Sequence, residues 1–196
     1  MNYQNILSLW GDRENHFHVS LNALSKEAKQ ELVKTFNEED KKFQFNEGVF
    51  LTEGADCFEL FAYGKPVGLL SVKVTTHWHG VKDEEPDEGE EYGAIIMPPN
   101  ALIEILGVFI LSDFRGCGTG SRLASIASEF IAASLINNFE KSEFETFSIQ
   151  LLCDFDSVEG ERFFNEFAHD FEADSCMAGI LKANGVSYKL ELVAGY

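Results

Sequence analysis

Between an apolar run, Leu102 to Leu111, and an amphipathic run, Leu123 to Leu135, stands Asp113-Phe114-Arg115-Gly116-Cys117-Gly118-Thr119-Gly120-Ser121-Arg122. Three alternate glycines at that point break any continuous element and dictate strand, glycine-rich turn, helix. A helix that opens on such a turn exposes a row of backbone N–H groups at the positive end of its dipole, an anion site made mostly of main chain. Glycine also lets a phosphate approach the backbone closely, which side chains would block. The segment therefore predicts a bound polyphosphate ligand beside a strand able to present a reacting group.

The chain around this turn has 196 residues and is 45% hydrophobic, enough for a proper core and short enough for one domain over 1–196. Residues 1–14 read as an extension, and 80–99 as an acidic loop insertion that includes Lys82-Asp83-Glu84-Glu85-Pro86-Asp87-Glu88-Gly89-Glu90-Glu91. The net charge of −18 disfavours nucleic acid as a partner and suits a cationic substrate, although an acidic surface also simply serves solubility. No apolar run reaches membrane-spanning length, and the first residues lack the basic-then-apolar pattern of a signal peptide, so a cytoplasmic protein without a membrane partner is expected. Cys57, Cys117, Cys153 and Cys176 show no CxxC spacing, which fits a reducing compartment and neither a disulfide frame nor a zinc knuckle.

Periodicity supplies the remaining elements. Asn15 to Leu21 alternates like a strand; Leu24, Ala28, Leu32 and Phe36 predict an amphipathic helix with Ser25 as its cap; Asn37 to Phe45 reads as a short helix or loop. Cys57 to Tyr63 and Val67 to Val74 form two strands about Gly64-Lys65-Pro66. The helix after the glycine turn carries Leu123, Ile126, Ala127, Phe130, Ile131 and Leu135 on one face. Phe147 to Cys153 is a strand, Glu159 to Phe167 a helix capped by Asp156 or Ser157, and Met177 to Val193 a hairpin turning at Asn184-Gly185.

The glycine spacing narrows the ligand. Gly120 is followed by Ser121-Arg122, without the lysine of a Walker loop, and the three glycines do not give GxGxxG. What fits is Arg115-x-x-Gly118-x-Gly120 after a central strand. With Glu104-Ile105-Leu106-Gly107-Val108-Phe109-Ile110-Leu111-Ser112-Asp113-Phe114 before it, the chain resembles the GNAT superfamily of acyl-CoA N-acyltransferases, with Ser112 where a proline is usual. The match covers about 15–193 in element order and about 104–131 in sequence detail.

The resemblance implies an α/β fold: a mixed, mainly antiparallel sheet splayed at the centre and flanked by helices. It implies acetyl-CoA as acyl donor and no metal. Its pyrophosphate would lie on Arg115, Gly116, Cys117, Gly118, Thr119, Gly120 and Ser121, its pantetheine arm would pair with the backbone around Phe109 and Ile110, and Ser157 would also contact it. A backbone N–H of that strand would face the developing oxyanion. The acceptor would be the primary amine of a small molecule or basic peptide. Glu104 is the candidate base, expected on one apolar face with Leu106, Val108 and Ile110 that would raise its pKa; the alternative is a solvent-facing strand-end glutamate. Where the family commonly has a general-acid tyrosine, this chain has Phe164, leaving Cys153, Ser157 or water to protonate the thiolate.

His16/His18 and His77/His79 pair on strand faces without a third ligand fixed by spacing, and read as exposed or lining the acceptor mouth. Aromatics Trp10, Phe43, Phe45, Trp78 and Tyr92 are further candidates to shape it. Cys117 reads as a loop residue. Two other functions remain open: a catalytically silent acyl-CoA-binding or sensing module, suggested by Phe164, and an acidic protein-interaction module acting through 83–91. Self-association into a homodimer is also open.

Overall fold

A computed structural model of the chain describes residues 17–77, 80–81, 96–97, 100–139, 146–154, 157–173, 177–183 and 185–195. The elements are β1 (Phe17–Leu21), α1 (Lys26–Glu39), a 3-10 turn (Glu47–Leu51), β2 (Ala55–Ala62), β3 (Lys65–His77), β4 (Gly80–Val81), β5 (Ile96–Met97) and β6 (Asn100–Ile110). After the glycine turn come α2 (Thr119–Phe139), β7 (Thr146–Asp154), α3 (Val158–Glu172), α4 (Met177–Ala183) and β8 (Ser187–Gly195). Six strands form one sheet in the order β1-β2-β3-β6-β7-β8, with three antiparallel pairings and then two parallel ones, β6–β7 and β7–β8. This is the mixed, mainly antiparallel sheet with flanking helices expected from the sequence.

The two faces bury separate apolar clusters. On one, Ile103 and Ile105 of β6, Leu70 and Val72 of β3, and Phe147, Ile149 and Leu151 of β7 meet Leu123, Ala127 and Ile131 of α2 and Phe163 and Phe167 of α3. On the other, Cys57, Leu69 and Phe109 meet Leu32, Val33 and Phe36 of α1 and Phe50 of the 3-10 turn. Phe109 is the centre of an aromatic group, with ring centroids 4.6 Å from Phe36, 5.2 Å from Phe50 and 5.8 Å from Phe45. Phe43 and Phe45, candidates to shape an acceptor mouth, are partly buried against this second cluster.

Local chemistry explains the element ends. Ser25 Oγ accepts from Ala28 N–H at 3.2 Å and caps α1 as expected. Tyr63 (φ 51) and Gly64 (φ 75) make the tight β2–β3 turn, whose two positive φ angles match the strand twist. The expected C-terminal hairpin is not formed. Met177–Ala183 is helical, and β8 runs parallel to β7. Gly185 (φ 72) donates to Lys182 O and Val186 to Leu181 O, the paired bonds by which a left-handed glycine closes a helix. Gly185 thus ends α4, where a hairpin turn was expected. Within the acidic insertion 80–99, Gly80–Val81 pairs antiparallel with Ile96–Met97, so its described ends are strand where a loop was expected. The acidic run 83–91 and the extension 1–14 lie outside the described residues.

A buried ion pair joins the β1–α1 connection to the sheet. Glu59, fully buried on β2, accepts from Ala23 N–H at 2.8 Å and Leu24 N–H at 3.0 Å, and its Oε1 lies 3.4 Å from Lys29 Nζ. Glu59→Gln leaves Lys29 without its counter-charge and is expected to lower unfolding stability by about 3 kcal/mol in urea titrations. Gly107 is constrained by packing: a Cβ there would meet Val49 Cγ1 at 2.7 Å and Phe50 at 3.3 Å. Gly107→Ala is expected to cost about 1–3 kcal/mol in the same assay, by forcing the 3-10 turn off the sheet.

Candidate functional site

The central strand β6 has two halves. From Asn100 to Ile105 it pairs on one side with β3 and on the other with β7, the last β7 pair being Ile105 with Cys153. From Leu106 to Ile110 only β3 remains beside it among the described residues, because β7 ends at Asp154. The sheet is open at its centre along five residues of one strand.

Leu106 is a bulge. Ser71 pairs with Gly107 and Val72 with Ile105, so one residue of β6 has no partner on β3. The bulge changes which side chains share a face. Ile103 and Ile105 lie on the α2 side before it, and Val108 and Ile110 after it, all packed on the larger cluster. Glu104 therefore shares the α1-side face with Gly107 and Phe109, and the expected apolar row Leu106, Val108, Ile110 does not surround it. Glu104 is half-buried, with Lys73 opposite on β3 and Leu152 opposite on β7.

The hydrogen-bond parity of the open half follows from one bond. Leu111 N–H donates to Val67 O at 2.8 Å, which makes that pair a hydrogen-bonded one. Antiparallel ladders alternate, so Phe109 also spends its N–H and C=O on β3, and Val108 and Ile110 turn theirs to the open side. The backbone groups expected of Phe109 and Ile110 are thus those of Val108 and Ile110. Sequence reading missed Val108 because the bulge that sets the parity leaves no compositional mark. The Ile110 carbonyl accepts from Arg115 Nε at 2.7 Å.

The glycine turn follows. Gly116 and Gly118 have φ 77 and 80, where a Cβ would strain the backbone although it would meet no atom. The first helical bond of α2 runs from Arg122 N–H to Gly118 O at 3.1 Å. Gly118 has no side chain to cap, so helix geometry leaves the N–H groups of Thr119, Gly120 and Ser121 without intrahelical acceptors. The first turn of α2 has no acid, whereas α1 has Glu27 there and α3 has Glu159 and Glu161. In a chain of net charge −18 this is the one described long helix with no acidic residue in its own first turn. A Cβ on Gly120 would lie 3.9 Å from Ile110 Cδ1, which sets the helix start beside the end of the open strand.

Side chains lock the turn in place. Arg115 Nη1 pairs with Asp40 Oδ2 at 3.2 Å, and its guanidinium lies over Phe36. Partial burial works to raise the Asp40 carboxyl; bonds from Arg115 and from the N–H groups of Lys42 and Phe43 outweigh it and hold it below the usual carboxylate range. Glu39 accepts from both Ser112 N–H and Ser112 Oγ. Thr119 Oγ1 and Cys117 Sγ both donate to Phe114 O, at 2.6 and 3.3 Å. Arg115 and Thr119 thus fasten the turn, leaving the exposed Ser121 hydroxyl and the main chain as the groups presented outward.

The other expected residues stand on the core side and at the start of α3. Phe164 is buried in the larger core. Ser157 caps α3, its Oγ accepting from Gly160 N–H at 3.0 Å. Cys153 sits where β6 and β7 part but faces the core, and burial, with Asp154 adding to it, pushes its thiol up to about 11. A thiol that weak is a poor acid toward a thiolate whose own pKa is near 8.5, since the transfer runs uphill. His18 stacks on Phe61 at 4.7 Å; His16 and His79 lie outside the described residues.

No family model and no curated protein matches the sequence. Among solved structures, the chain is similar to an aminoglycoside acetyltransferase from an uncultured soil metagenomic sample, in complex with sisomicin, at 17% identity and TM-score 0.38 over 80% of this chain and 88% of that one. It is similar to an aminoglycoside N-acetyltransferase in complex with CoA at 14% identity and TM-score 0.37, over 81% and 89%. A ribosomal-protein-alanine N-acetyltransferase from Brucella melitensis biovar Abortus 2308 gives 15% and 0.39, over 76% and 89%. At this distance the chemistry has to be argued from the sheet and the turn themselves.

The thiols offer a direct check of this geometry. Cys117 is exposed, while Cys57 and Cys153 are buried with thiols raised from 9.0 to about 11, each chiefly by burial. Iodoacetamide at pH 8 is expected to alkylate Cys117 in the folded protein and to leave the other two intact by peptide mass mapping. Because both buried thiols hold their protons more tightly when folded, their contribution to stability is complete below pH 9. It is lost as pH rises from 9 to 11, which denaturation midpoints across that range will register.

Proposed function

We propose that this chain is an acetyl-CoA-dependent N-acetyltransferase that moves the acetyl group to a primary amine by direct attack in a ternary complex. One observation carries the reading: a half-paired central strand ends beside a helix N-terminus that is built on glycines and has no acid in its first turn. The first feature suits an extended amide-bearing arm, and the second suits a pyrophosphate.

The residues fit that ligand as follows. The N–H groups of Gly116 to Ser121 and the Ser121 hydroxyl hold the phosphates, with Arg115 keeping the turn closed behind them. Val108 and Ile110 offer backbone groups to the arm as a neighbouring strand would. When bound, acetyl-CoA supplies an activated thioester carbonyl. An N–H of the same open strand faces the oxygen of that carbonyl as charge develops on it. Glu104, one pair before the sheet opens, takes the amine proton directly or through a water, since an alkylamine with a pKa of about 10.4 is mostly protonated at neutral pH. The chain's acidity favours a cationic acceptor, such as a small polyamine-like molecule or basic peptide.

Phe164 and the weakly acidic Cys153 favour a second reading, a silent acyl-CoA-binding module on the same fold. Calorimetry with acetyl-CoA tests what the two share: binding is expected, and Ser121→Asp, which puts a carboxylate into the exposed first turn, weakens it at least about tenfold. Heat changes absent at near-millimolar ligand would remove both. Thiol release with a panel of polyamines, aminoglycosides, amino acids and basic peptides then separates them. In the enzyme, Glu104→Gln lowers turnover about 100-fold or more while leaving acetyl-CoA affinity within about twofold; unchanged turnover takes Glu104 out of the role.

A further inference from the structure

Among the described residues β8 is the last strand of the main sheet, with β7 on one side and no strand on the other. Along it, Tyr188-Lys189-Leu190-Glu191-Leu192 is complementary to itself about Leu190. A base stands one place before that centre and an acid one place after; an aromatic stands two before and a leucine two after.

We propose that β8 pairs antiparallel with β8 of a second copy, about a two-fold axis at Leu190, so that the sheet continues through a homodimer. In this register Lys189 faces the partner's Glu191 and Glu191 faces the partner's Lys189. Leu192 meets the partner's Tyr188, and the two Leu190 side chains meet at the axis. Lys189 and Glu191 are both exposed on the same face, and Gln150 Nε2 holds Glu191 Oε2 at 3.1 Å from the neighbouring strand. On the opposite face Tyr188 and Leu190 pack against the larger core cluster, so the partner's Leu192 extends that cluster. Leu192 and Val193 are 48% and 40% exposed, two of the few large apolar side chains left outside among the described residues. The register satisfies the ladder whichever of its two parities applies, because paired positions differ by an even number of residues.

Charge decides between this and other ways of self-association. Chains of net charge −18 repel one another, so a contact between copies is favoured where the signs alternate and can match. Each dimer holds two Lys–Glu pairs opposite one another, and like charges in those places are destabilising by similar amounts. A two-fold contact of this kind uses up the same edge on both copies and closes at two.

Sedimentation velocity over a concentration series tests it. The wild-type chain is expected to dimerise, with Lys189→Glu and Glu191→Lys each weakening the dimer about tenfold or more. The double exchange K189E/E191K restores it to within about threefold, because the pairs are re-formed with their signs reversed. The first variant makes the chain more negative and the second less, so a dimer governed by overall charge would respond to them in opposite directions. Circular dichroism confirms that each variant is folded. A chain that stays monomeric up to ~100 µM, a dimer indifferent to both exchanges, or an assembly larger than two overturns the proposal.

Discussion

A central strand that, among the described residues, has one neighbour along half its length is the condition on which the rest of this molecule depends. Backbone groups left unpaired inside a sheet are costly, so the open half of β6 needs strong restraint from its other contacts. That restraint is visible residue by residue. The ladder to β3 continues to the end, Phe109 is seated among Phe36, Phe45 and Phe50, and Gly107 lets the 3-10 turn lie directly on the strand. The bulge at Leu106 marks the change from two neighbours to one, and the alternation that runs back from the Leu111–Val67 bond gives the gap the amides of Val108 and Ile110.

The turn after β6 is held by a different kind of force. Beside the bonds within the turn, its charged fasteners come from the end of α1: Glu39 takes Ser112, and Asp40 takes Arg115, which also satisfies the Ile110 carbonyl. The side of the sheet that faces α1 and the glycine turn are therefore one mechanical unit. A change that loosens the end of α1 reaches the turn through the bonds of Glu39 and Asp40, without passing through the hydrophobic core.

Most of the fold was legible in the sequence because periodicity and capping reflect burial directly. The α1 stripe, the Ser25 and Ser157 caps and the apolar face of α2 all stand where the pattern put them. The C-terminal segment misled because Asn-Gly serves two purposes, a hairpin turn and a helix stop, and only tertiary pairing chooses between them. The candidate site was half legible. Glycines announce their backbone conformations, so the turn could be read. The face of Glu104 and the amides of Val108 could not, since a single inserted residue reverses the alternation on which such a reading rests. Arg115 was expected to serve a ligand; its partners Asp40 and the Ile110 carbonyl are distant in sequence or belong to the backbone, and leave no local trace.

The absence of acids from the first turn of α2 has a kinetic side. An anion approaching a chain of net charge −18 is repelled until it comes within about a Debye length, some 8 Å at physiological ionic strength, of the positive helix end. Salt screens the distant repulsion more than the close attraction. On the function proposed above, capture of a polyphosphate by this turn speeds up as ionic strength rises, the reverse of ordinary electrostatic steering, while a cation heading for the same protein slows down.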